Sequence, residues 1–178
     1  DSDGASKNLV KCVGEDAEGN LYIAGHFRDY ITLGETELDA SETGCHGCYE
    51  VFLSKLDPNG NYIWTRQMKG PNDLLYDMHV EENGDIYLTG SYSNGSWYDS
   101  DGWVELGNGV YLPPPEEGAH DGFVIKYNSE GTCQWARTYG AGGADFCYSL
   151  APDRQGGFYL TGYFSDTMQF GSSTLISS

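Results

Sequence analysis

A glycine-centred turn recurs three times in this chain, and that recurrence constrains the fold more than any other feature. The segments Asp16-Ala17-Glu18-Gly19-Asn20-Leu21-Tyr22-Ile23-Ala24-Gly25, Glu81-Glu82-Asn83-Gly84-Asp85-Ile86-Tyr87-Leu88-Thr89-Gly90 and Asp153-Arg154-Gln155-Gly156-Gly157-Phe158-Tyr159-Leu160-Thr161-Gly162 align along their whole length. Gly25 and Gly90 are 65 residues apart and Gly90 and Gly162 are 72 apart, so the period changes by insertion. A second block occurs twice, running from Val51 through Asp57-Pro58-Asn59-Gly60 to Trp64, and from Phe123 through Asn128-Ser129-Glu130-Gly131 to Trp135. Its offset is 71 residues.

Each block reads as a hairpin. Apolar residues precede a short Asp/Asn/Pro/Gly turn whose glycine (Gly19, Gly84, Gly156, Gly60 or Gly131) supplies a positive φ, and an alternating or aromatic-rich strand follows. The first repeat predicts strands near Leu9 to Glu15, Asn20 to His26, Tyr49 to Leu56 and Asn61 to Gln67, and the second starts them again at Leu74, Asp85, Phe123 and Thr132. A longer connection between the hairpins carries its own marker, Ile31-Thr32-Leu33-Gly34, Val104-Glu105-Leu106-Gly107 or Met168-Gln169-Phe170-Gly171. Four antiparallel strands per repeat fit an all-β chain of β-propeller-like blades, here about two and a half of them. The organisation expected is blade one over 1–71, blade two over 72–143 with an extended connection, and the first half of blade three over 144–178. A closed propeller needs at least ~4 blades. The expectation is therefore an incomplete ring, continued in a longer protein, by further copies or by another chain.

Composition supports the all-β reading, since 25 glycines and 14 tyrosines stand beside few helical leucine or alanine patterns. A formal charge of −18 opposes phosphate backbones and anionic lipid, which argues against nucleic-acid partners, and no apolar run is long enough for a membrane helix. Five cysteines in a polar, acidic, tyrosine-rich chain suggest an extracellular or cell-surface setting, with at least one thiol left over if the others are oxidised.

The run Gly19 to Gly25, Thr32-Leu33-Gly34, Val51 to Gly60, Trp64 and Asp85 to Gly90 resembles the bacterial β-propeller repeats of SBBP type, common in secreted proteins of Bacteroidetes. Thr161-Gly162-Tyr163-Phe164 and Phe170 to Leu175 are similar to the same pattern. The resemblance covers nearly the whole chain and implies the fold and an exported protein; it implies little about activity. Departures are the Cys45-His46-Gly47-Cys48 insertion and the Pro113-Pro114-Pro115-Glu116-Glu117 loop.

Several residues are candidates for more than folding. Trp97, Tyr98, Trp103 and Tyr111 in the extended connection of repeat two form a possible ligand-binding set that could stack on sugar rings or seat a protein partner, or equally pack under the loop. Asp99-Ser100-Asp101-Gly102, with Glu105 beyond it, alternates carboxylates ahead of a glycine as a Ca²⁺ loop does, although a polar turn is the plainer reading. Cys45 and Cys48 suit a small disulfide loop, and zinc or redox readings lack the second ligand pair or the helix start they require. Trp64 and Trp135 are expected to pack between blades. His26, His46, His79 and His120 are scattered and no nucleophile elbow occurs, so the expectation is a non-enzymatic structural, adhesive or assembly module with protein partners or further blades. The alternatives are a carbohydrate-binding module, with or without Ca²⁺, and a fragment of a propeller enzyme whose site lies elsewhere.

Overall fold

Pairing across the glycine turns sets the architecture, which a computed structural model describes for residues 8–43, 47–93, 102–116, 119–153, 157–170 and 173–177. Gly19, at φ 78°, reverses the chain between β1 (Leu9–Glu15) and β2 (Leu21–Arg28), leaving Glu15 opposite Leu21. A short hairpin of β3 (Tyr30–Leu33) and β4 (Thr36–Asp39) follows, then a 3₁₀ turn at Ala40–Thr43. β5 (Tyr49–Leu56) returns alongside β2 with Leu56 opposite Leu21, and β6 (Tyr62–Gln67) closes a four-stranded antiparallel sheet in the order β1-β2-β5-β6.

The second repeat builds the same object. β7 (Leu74–Val80) and β8 (Ile86–Ser93) precede a small hairpin, β9 (Val104–Glu105) with β10 (Tyr111–Leu112), and β11 (His120–Tyr127) and β12 (Cys133–Tyr139) complete a sheet ordered β7-β8-β11-β12. The third contributes β13 (Phe146–Pro152) paired with β14 (Phe158–Tyr163), then the hairpin β15 (Thr167–Phe170) and β16 (Ser173–Ile176). These are propeller-type blades of antiparallel strands. The marker in each connection is thus part of a small two-stranded hairpin, a refinement of the sequence reading, and β11 begins at His120, three residues before the expected Phe123.

Each first strand carries a one-residue irregularity in register, between Val10 and Cys12, Leu75 and Asp77, and Cys147 and Ser149. The bulge drives a carbonyl over the paired strand. A Cβ on Gly25, Gly90 or Gly162 would lie 1.9, 2.0 or 2.1 Å from the carbonyl oxygen of Leu9, Leu74 or Phe146, so the repeat glycine is the residue that admits the bulge.

The cores lie between blades. Tyr22, Ala24, Val51 and Leu53 of the first sheet meet Leu75, Ile86, Leu88 and Phe123 of the second, while Tyr87, Val124 and Tyr139 meet Cys147, Leu150 and Met168 of the third. β1 packs beside β7 and β7 beside β13, so the first strands of successive blades are neighbours. Trp64 tightens the first junction: its Nε1–H donates to the Ser129 carbonyl at 3.1 Å, and Arg66 Nε donates to the Gly131 carbonyl at 2.9 Å. Trp135 faces the next blade in a different contact, stacking on Phe158 of β14 with centroids 6.3 Å apart. The surrounding geometry is copied, with Tyr22–Trp64 and Tyr87–Trp135 both at 6.1 Å and 63°, Lys55 over Tyr22 and Lys126 over Tyr87.

Candidate functional site

The β9–β10 hairpin brings together two of the four aromatics singled out from sequence. Trp103 and Tyr111 meet edge to face, centroids 6.4 Å apart at 88°, and each is 48% exposed. Trp97 and Tyr98 lie outside the described residues. Beside Tyr111 a groove of about 430 Å³ runs past Pro113, Arg137, Tyr139 and Gln169, between the hairpin, β12 and β15. Glu105 lies on β9, where its main chain bridges to Lys69; Asp99 and Asp101, the other members of the proposed Ca²⁺ set, are outside the described residues, as is Cys45. Cys48 is buried and does not carry a free thiol. Among the described residues no group of three or more His, Cys, Asp or Glu side chains gathers into one metal site.

The turn residues have defined partners. Gly60, Gly84 and Gly131 take φ of 85°, 80° and 71°, and Gly156 is outside the described residues. Asp57 Oδ1 accepts the main-chain N–H of Asn59 and Asn61, and Asn128 Oδ1 accepts that of Thr132, so these side chains are consumed in holding their own turns. Cys12, Cys133 and Cys147 are free thiols pushed up to about 11, 11 and 12, each chiefly by burial, which leaves them poor nucleophiles at neutral pH.

Two arrangements escaped the sequence reading. The first is an aromatic row on the bulged first strands. Tyr76 and Tyr148 occupy equivalent bulge positions on β7 and β13, each 14 residues before its repeat glycine, as is Lys11 on β1. Tyr76 meets Tyr148 edge to face at 5.5 Å, Tyr148 stacks on Phe146 at 6.0 Å with 3° between the rings, and Phe146 adjoins His120 at 5.9 Å and Tyr163 at 6.2 Å. Tyr148 and Tyr163 are half exposed. The row thus presents aromatic faces across the blade-two to blade-three junction.

The second arrangement is a pair of inward carboxylates at each junction, with Glu50, Asp73 and Asp145 buried and Asp121 partly buried. Asp73, just before β7, donates its N–H to the Tyr49 carbonyl at 2.7 Å, and Asp145, just before β13, donates to the His120 carbonyl at 2.7 Å. Glu50 follows Tyr49 and Asp121 follows His120, so one carboxylate from the third strand of a blade sits by one from the entry to the next blade. Burial and then the nearby Glu50 charge hold the Asp73 carboxyl well above its usual range, and burial, then Asp145 and Glu116, push Asp121 up to about 6. The common spacing of 17 residues from Asp73 to Gly90 and from Asp145 to Gly162 was the available signal.

No family model matches the chain. Over 175 residues it is 26% identical to an uncharacterized WD repeat-containing protein of Acanthamoeba polyphaga mimivirus, an alignment that takes in 89% of this chain and 13% of that protein. The likeness agrees with the four-stranded blades and reaches no finer. No described helix is long and apolar enough to cross a membrane.

Proposed function

We propose that this chain is a non-catalytic propeller segment that acts through its surface by binding protein partners, within a protein of SBBP-like repeats displayed outside the cytosol. The observation that carries the binding reading is the row Tyr76, Phe146, Tyr148 and Tyr163, which offers aromatic faces at a blade junction. Aromatic side chains contribute large contact area at small entropic cost, and their half-exposed faces match the anchors of protein interfaces. The bulge supports this reading because it re-aims one side chain per blade toward the same edge. The name of the mimiviral relative, a WD repeat-containing protein, is compatible with a repeat scaffold.

The test is selection of a random-peptide display library on the purified chain, with counter-selection on the Tyr76→Ala/Tyr148→Ala double variant. Peptides that bind the chain and lose at least about tenfold on the variant support the reading, a loss of roughly 1.4 kcal/mol. Recovery only of peptides indifferent to the substitution counts against it.

The Trp103–Tyr111 pair beside its groove supports a second reading, binding of carbohydrate by stacking on a sugar face. A glycan array probed with and without chelator, alongside Trp103→Ala, separates the two. Silence in all three arms removes the carbohydrate reading and leaves the protein-binding one untouched.

A further inference from the structure

The Asp73 carboxylate is fully buried, and neither of its oxygens has a hydrogen-bond partner. A bare carboxylate in such a place is costly, and cores of this kind normally neutralise it with a proton, a counter-charge or a metal. Its neighbour is a second acid, Glu50, also fully buried, whose Oε2 accepts a hydrogen bond from Gln67 Nε2. Gln67 in turn donates to the Asp39 carbonyl at 2.9 Å, which fixes the amide and with it the Glu50 oxygen. Asp73 Oδ2 lies against the backbone of Gly70, 2.9 Å from where a Cβ there would stand, so side-chain-free backbone forms one wall.

The arrangement is repeated. At the next junction the Asp121 and Asp145 oxygens converge over Gly140, 2.3 and 2.9 Å from where its Cβ would stand, and Asp121 Oδ1 is buried without a partner. Asp145 is already held, by the N–H groups of Ala141 at 3.2 Å and Ser165 at 3.1 Å. Two junctions that differ in almost every flanking residue thus retain two inward acids, one from each blade.

We propose that the Glu50–Asp73 niche is a cation site that takes a hard divalent ion of the Ca²⁺ class and ties the third strand of one blade to the first strand of the next. Both donor side chains are carboxylates, which select a hard ion over zinc or copper, and main-chain carbonyls with water complete such shells. The Asp121–Asp145 pair is a weaker copy, because Asp121 is only partly buried and its carboxylate is more readily hydrated. The site is separate from the aromatic row and from the Trp103–Tyr111 pair.

The experiment uses the full chain, stripped with EGTA and dialysed, in 0.15 M NaCl at neutral pH. Calcium chloride is titrated calorimetrically and thermal melts are recorded with and without it, using magnesium chloride and extra sodium chloride as controls for the chain's acidity. The expected result is one tighter and one weaker Ca²⁺ event, and a melting point raised by about 5 °C or more when Ca²⁺ stands a hundredfold above its Kd. Asp73→Asn and Glu50→Gln each weaken the tighter event at least about tenfold, and Glu37→Gln, an exposed acid on β4, changes neither event. Should the Asn variant fail to fold, the unsubstituted chain still decides the matter. If its melting point is indifferent to Ca²⁺ at neutral pH, or rises equally with sodium chloride, or if it gains stability instead as pH falls toward 5, the niche holds a proton and the proposal is wrong.

Discussion

Asp16 holds more of the chain together than a turn carboxylate usually does. It accepts the main-chain N–H of Glu18 and Asn20, the Asn20 side-chain Nδ2–H shared across both carboxylate oxygens, and the Tyr22 hydroxyl at 3.0 Å, and it lies 3.5 Å from Lys55 Nζ. Burial alone would push its carboxyl up, but the bonds from Asn20, Tyr22 and Glu18 outweigh that and hold it below its usual range. A carboxylate depressed in the folded state lends stability that is complete above its ordinary value of 3.8 and is lost as pH falls through the lower folded value. Urea melts of Asp16→Ala should therefore show a loss of about 2–4 kcal/mol at pH 7, since Asn20, Tyr22 and Lys55 lose a shared partner, and a flatter acid limb below pH 4. A variant with an unchanged acid limb would show that Asp16 is not among the groups whose protonation unfolds the chain. Gly90 tests the backbone instead. Gly90→Ala places a Cβ onto the Leu74 carbonyl and should cost about 3 kcal/mol or more, against about 1 kcal/mol for Gly60→Ala, where the strain is conformational alone. Near-equal melts for the two would mean that the bulge can relax. The glycine was visible in the sequence as a repeat, but its reason was not, because a carbonyl displaced by a bulge leaves no mark on the residue that causes it.

At the scale of strands and turns, the legible parts are those where pattern and punctuation agree. A glycine turn between two alternating segments fixes β1 with β2, β7 with β8, and β5 with β6 from sequence alone. The small hairpins were not legible as strands, because their strands are two residues long in β9 and β10 and four in β3, β4, β15 and β16, too short for alternation to declare itself. The aromatic row was also out of reach, since Tyr76 and Tyr148 meet only after two first strands lie side by side. Between these extremes stand the tryptophans, whose partners lie on the following blade, a turn for Trp64 and Phe158 of β14 for Trp135. Trp64→Phe keeps a ring against Tyr22 but loses the N–H to Ser129, and should cost about 1 kcal/mol; Trp64→Ala also empties the junction and should cost about 2–4 kcal/mol. A cycle pairing Trp64→Ala with Arg66→Ala should show coupling, because both side chains dock on the Ser129–Gly131 turn. Additive losses would assign the junction's strength to the core beneath.

On the whole molecule, two opposing surface terms set how the chain behaves in solution. One is a formal charge of −18, which repels like copies over roughly a Debye length, ~8 Å at physiological salt. The other is apolar exposure at both ends of the blade stack: Val10 and Val13 on β1 are 60% and 70% exposed, and Tyr159 on β14 and Ile176 on β16 are 71% and 77% exposed. The counterparts of Val10, Val13 and Tyr159 in the second repeat, Leu75 and Met78 on β7 and Tyr87 on β8, are packed between blades, so the end faces have the chemistry of a blade junction without its cover. Screening weakens the first term and leaves the second nearly unchanged. Sedimentation velocity should accordingly show the chain associating as sodium chloride rises from 0.02 to 0.5 M. The Val13→Glu/Tyr159→Glu double variant should stay monomeric over the same range, because it removes apolar area at both faces and adds negative charge to each. A wild-type chain that remains monomeric at every salt concentration would mean that the end faces, although exposed, do not match one another, and that further blades rather than copies of this segment are what they fit.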